Sequence, residues 1–72
     1  MKISYYPETD SMYIELSLRE SVESKEVSEG IVLDFDSNGN ITGIDIDNAS
    51  LKLDLKELIL SKIPADKHTI AA

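Results

Sequence analysis

The residues best suited to chemistry are gathered in Asp34-Phe35-Asp36-Ser37-Asn38-Gly39-Asn40-Ile41-Thr42-Gly43-Ile44-Asp45. Their spacing fits an EF-hand calcium loop nearly completely. Oxygen ligands fall at the first, third and fifth positions, Gly at the sixth, Ile at the eighth and Asp45 at the twelfth, where a bidentate Glu is usual. Divalent-metal binding through the loop from Asp34 to Asp45 is therefore one functional reading. The carboxylate pairs Asp34/Asp36 and Asp45/Asp47 offer a second, a small hydrolase, provided that two such groups are held close in a dry cleft. Other chemistry lacks its parts: the sequence has no Cys and a single His68 near its end. No serine stands in a Gly-x-Ser-x-Gly elbow and no Gly-rich phosphate loop occurs.

The elements that must position these residues argue against both chemical readings. Asn38-Gly39 between apolar runs is a strong hairpin signal, because both central residues of a type I′ turn need φ > 0. A two-residue loop there sets Phe35 against Thr42, Leu33 against Ile44 and Ile31 against Ile46, giving one apolar face on both strands. A three-residue loop would instead oppose Leu33 with Gly43 and Ile31 with Asp45, so the two-residue loop is expected. EF-hand loops lie between helices, whereas these flanks are strands. In that ladder Asp34, Asp36 and Asp45 alternate onto the solvent face as the ordinary polar partners of a half-buried sheet. No catalytic, cofactor-binding or metal-ligating residue is assigned, and the chain is not expected to be an enzyme.

The rest of the chain continues the sheet. Residues 2–6, Lys-Ile-Ser-Tyr-Tyr, are β-prone with Ile3 and Tyr5 on one face, and Pro7 to Asp10 is a turn. Met12, Ile14, Leu16 and Leu18 alternate with polar residues in a second strand. Residues 22–27 form a third whose charged centre, Glu23-Ser24-Lys25-Glu26, suits an edge. Short connections make the sheet an antiparallel meander of about five strands, and the fold class α+β. A C-terminal helix is expected to start at Asp54, with Glu57 completing a capping box, and to end before Pro64. Ser50 is an alternative start. Leu55, Leu58 and Ile59 would pack on the sheet, while Leu60 and Ile63 face away. Residues 1–64 thus form one domain and residues 65–72 a frayed tail.

Composition limits the partners. Seventy-two residues give a thin core, and without disulfides oligomerisation is the remaining reinforcement, so a homodimer is expected. Fourteen acidic against seven basic residues give a net charge of −7, which repels nucleic-acid backbones. No basic leader and no long apolar run occurs, so a cytoplasmic protein away from the membrane is expected.

Two segments resemble a known family. Tyr6-Pro7-Glu8-Thr9-Asp10-Ser11-Met12-Tyr13-Ile14-Glu15-Leu16 resembles the opening of the small prokaryotic domain-of-unknown-function family 2283. Residues 26–36, with Gly39 and Gly43-Ile44-Asp45-Ile46, are similar to its second half. The likeness covers residues 1 to about 50, although the usual Asp before Pro7 is absent. It implies the sheet and no catalytic residues. Some members are thought to lie beside toxin genes, so the function it implies is a protein-binding or regulatory module, antitoxin-like in one version. The strand context predicts that millimolar calcium leaves the melting temperature unmoved. A stabilisation of more than ~2 kcal/mol, which needs calcium at roughly a hundredfold above its dissociation constant, would restore the metal reading.

Overall fold

A computed structural model describes residues 1–70 of the chain. Five antiparallel strands, β1 (Lys2–Tyr6), β2 (Ser11–Glu15), β3 (Glu23–Ser28), β4 (Ile31–Phe35) and β5 (Ile41–Ile46), precede one short helix, α1 (Ala49–Lys52). The α+β class and the strand number are those expected from periodicity. Their order departs from a straight meander. It runs β1-β2-β5-β4-β3, so β5 sits in the centre between β2 and β4. Polarity explains the arrangement: Glu-Ser-Lys-Glu-Val-Ser of β3 is exposed along its whole length and belongs at an edge. A bulge between Glu26 and Ser28 blunts that edge further. β5 contributes Gly43 and Ile46 to the buried set and can be covered from both sides.

The turn between β4 and β5 has three residues. Gly39 N–H donates to the Asp36 carbonyl at 3.1 Å and Asp36 N–H to the Asn40 carbonyl at 2.9 Å, leaving Ser37, Asn38 and Gly39 as the loop. Gly39 alone of these is left-handed, with φ 80, so the type I′ turn is corrected to a type I-like turn followed by a left-handed Gly. Phe35 consequently faces Ile41 instead of Thr42. The expected inner pairs, Leu33 with Ile44 and Ile31 with Ile46, nevertheless form. One extra residue in β5, Thr42, makes a bulge that returns the register lost in the longer loop. The Thr42 carbonyl then accepts from both Leu16 N–H (2.8 Å) and Ser17 N–H (3.3 Å). That shared acceptor ends the ladder of β2 at Glu15, short of the expected Leu18, which is 92% exposed.

The helix is the largest departure. It starts at Ala49, close to the alternative start at Ser50, and stops at Lys52, so the expected helix over residues 54–63 is absent. Asn48 precedes it in a left-handed conformation without a side-chain cap. Asp10 supplies the acceptors instead, its carbonyl to Ala49 N–H at 2.8 Å and its carboxylate to Ser50 N–H at 3.1 Å and Ser50 Oγ at 2.6 Å. Residues 53–70 form neither helix nor strand; Ala71 and Ala72, part of the expected tail, lie outside the described residues. A helix this short in water requires a packed apolar face, and Leu58 and Ile59 remain 70% and 75% exposed.

The loop geometry separates two neighbouring substitutions. Gly39→Ala is expected to lower stability by about 1 kcal/mol or more, while Asn38→Ala stays within ~0.5 kcal/mol. Urea midpoints test this, because a type I′ turn would make both substitutions costly.

Candidate protein-binding face

Asp36 anchors the end of the sheet at which three segments meet. Its side chain is 5% exposed. Oδ1 accepts from Asn38 N–H and Asn40 N–H, each at 2.9 Å, and Oδ2 lies 3.5 Å from Asn40 Nδ2 and 3.6 Å from Arg19 Nη1. Arg19 belongs to residues 16–22, which cross from β2 to β3 past the ends of β5 and β4. Val22 N–H, donating to the Phe35 carbonyl at 2.8 Å, fixes the far end of that crossing. The Asn40 N–H holds the Asp36 carboxyl below the usual carboxylate range, with Asn38, the Asn40 side chain and Arg19 adding to it against the effect of burial. The expectation that Asp36 faces solvent is thereby corrected: its oxygens serve the loop's own donors.

On the polar face a hydrogen-bonded seam crosses four strands. Tyr13 Oη on β2 donates to Asp34 Oδ2 on β4 at 2.7 Å, and Ser24 Oγ on β3 donates to Asp34 Oδ1 at 2.6 Å. Between Tyr13 and Asp34 lies Gly43 of β5. A Cβ at Gly43 would collide with the Tyr13 ring and hydroxyl, so the missing side chain is what lets the tyrosine span β5. The bond to Asp34, with burial and nearby carboxylates, pushes the Tyr13 hydroxyl up to about 12. At neutral pH this phenol is a bound donor rather than an acid or a nucleophile.

Two more carboxylates have opposite environments. Asp10 lies below its ordinary range because Ser50 and Tyr5 donate to it, the latter through Tyr5 Oη at 2.8 Å. Asp45 is pushed up by burial and by the like charges of Asp47 and Asp34. The loop that resembles an EF-hand is therefore dispersed: Asp36 turns into the hairpin, Asp34 into the seam, and Asp45 lies beside Tyr13 and Val32 across the ladders. Among the described residues no three His, Cys, Asp or Glu side chains converge as a metal would require. Asp34 and Asp36 do not share a cleft, and His68 is exposed in the segment after α1.

The opposite face is apolar across β1, β2, β5 and β4, and is bordered by Glu23 and Lys25 of β3, which stand opposite Phe35 and Leu33. Cross-strand partners place Ile3, Tyr5, Met12, Ile14, Ile44, Ile46, Leu33 and Ile31 on it. Only Ile46, at 6% exposure, is buried, and Ala49 is the one other buried apolar residue among those described. Part of the chain crosses this face: Leu53, Leu55 and Leu58 lie over Ile3, Met12 and Ile14, bounding a 370 Å³ groove. Leu53 and Leu55 are still 36% and 38% exposed, so that cover is partial. Alternation made the face legible in the sequence. The seam was not, since it depends on β5 lying between β2 and β4; the Asp36 turn had a local signal in the amides two and four residues downstream.

The sequence model of the family described as Protein of unknown function (DUF2283) matches residues 2–50, the span holding all five strands and the start of α1. Neither the curated proteins nor the solved structures compared with the chain give a match. No helix of the described residues is long and apolar enough to cross a membrane.

The seam makes an alkaline prediction. A tyrosine whose folded value is raised gives stability that is complete below about 10 and is lost as pH rises through about 12. Tyr5 is also raised, by its bond to Asp10, so in an ultraviolet titration the Tyr13 step is identified by its loss in Tyr13→Phe, and Gly43→Ala should return that step towards its ordinary range. A Tyr13 step that stays at about 12 in Gly43→Ala would disprove the passage over Gly43.

Proposed function

Since the chain belongs to DUF2283, a family of unknown function, we propose on physical grounds that it is a protein-binding module acting as a homodimer through its apolar sheet face. The observation that carries this reading is the surface left uncovered. The chain exposes 6058 Å², whereas a compact protein of 8.0 kDa exposes about 4,450 Å², an excess of about 1,600 Å² that is shared between the sheet face and residues 51–70, which are exposed throughout. Obligate dimers commonly bury roughly 1,000 Å² or more from each copy. A domain with two buried apolar residues among those described also lacks the burial that normally offsets chain entropy, which a partner surface would supply. The polar face supports the same orientation. Its donors and acceptors already serve one another in the seam, and its carboxylates keep it hydrated, so the apolar face is the one with something to gain from contact.

Sedimentation at tens of micromolar tests the reading. The wild type is expected to be a dimer, and Ile41→Asp, which places a charge opposite Phe35 at an exposed position of the β4–β5 half, should weaken it at least tenfold. A wild-type monomer at that concentration removes the proposal.

A further inference from the structure

Residues 54–62 carry the beginning and the end of a helix without the helix between them. Asp54 Oδ1 accepts from Lys56 N–H at 3.4 Å, the contact of an N-cap with its second helical residue, and Glu57 occupies the capping-box position. At the other end Lys62 has φ 55, the left-handed conformation of the residue that closes a helix, and Pro64 follows where a helix cannot continue. Leu55, Leu58 and Ile59 would share one face at helical spacing. Yet a single turn at Leu55 and Lys56 is all that forms.

The missing ingredient is an apolar surface on which that face can lie. Within its own chain the segment already spends Leu53 and Leu55 on the β1–β2 half of the sheet, and Leu58 borders the same groove while staying 70% exposed. The other half, with Leu33, Phe35 and Ile44, stays half-open. We infer that residues 55–61 become helical on the open half of a second copy's sheet, seating Leu58 and Ile59 there while Asp54 and Lys62 fix the two ends. This rests on the homodimer proposed above. A second copy is favoured over an unrelated protein because the two uncovered surfaces, segment and half-face, are on the same chain. One two-fold contact covers both at once, as an isologous interface requires, whereas a foreign surface laid on the sheet leaves Leu58 and Ile59 in water.

The test separates the helix from the dimer. Lys56 and Ser61 lie off the apolar face, so paired substitutions there alter helix propensity without altering contacts. Lys56→Gly with Ser61→Gly is expected to dissociate severalfold more readily than Lys56→Ala with Ser61→Ala, given the lower helix propensity of Gly in the first and last turns. Backbone chemical shifts of residues 55–61 should be helical in the wild-type dimer and non-helical in the Ile41→Asp monomer. A dimer with non-helical shifts and equal dissociation of the Gly and Ala pairs overturns the helix and leaves the dimer standing. Helical shifts in the monomer overturn the dependence on a second copy, and a wild-type monomer overturns both proposals.

Discussion

The carboxylate of Asp36 is the constraint through which the sheet holds together at one end. By accepting two backbone N–H groups of its own loop it selects a three-residue turn, and that turn displaces the ladder by one position. The displacement must be undone before Leu33 reaches Ile44, because a one-residue slip would carry every apolar side chain of β5 to the wrong face. Thr42 undoes it as a bulge. Its carbonyl then faces outward to receive Leu16 and Ser17, which ends β2 and releases the chain towards β3. Arg19, on that crossing, returns to Asp36. Loop, bulge, strand end and crossing thus form one set of dependent choices. The Thr42 Oγ1, buried with no hydrogen-bond partner among the described residues, lies inside that set, where backbone requirements leave the hydroxyl unserved.

The two faces of the sheet divide the labour. One is closed by hydrogen bonds that run across strands, from Tyr13 over Gly43 to Asp34 and Ser24, and it resists sliding of β2 against β4 although those strands never pair directly. The other presents aliphatic side chains to a segment too irregular to cover them. Such a fold specifies its strand order well and its solvation poorly.

Much of the sheet was legible from alternation alone. Leu33 faces Ile44 and Ile31 faces Ile46 even though the turn is longer than Asn38-Gly39 suggests, because face parity governs register and the local path adjusts to it. The polar edge strand was legible for the same reason. Strand order was not: the polarity of β3 excludes it from the centre, but only the fit of Tyr13 over Gly43 shows why β5 takes that place beside β2. The helix over residues 54–63 failed on a different ground. Its capping and stop signals are genuine and are present in the structure, but local signals fix ends while packing sustains the middle. The acidic loop misled in the opposite direction, since the oxygens of Asp34, Asp36 and Asn38 resemble a cation site in spacing, whereas in space Asp36 accepts the loop's own amides as a self-contained turn.

Strand order also has a consequence for the growing chain. β2 can pair with β1 once the first fifteen residues are free, but its other edge waits for β5, whose Ile46 stands opposite Met12. During synthesis the first hairpin therefore carries an unmatched backbone edge and a bare aliphatic face while β3 and β4 are still being made. The last strand to emerge is the one inserted at the middle of the sheet. The sheet therefore closes at its centre last, so a nascent chain interrupted before residue 46 has two half-sheets with nothing to join them, and an aggregation hazard that the finished sheet no longer has at that seam.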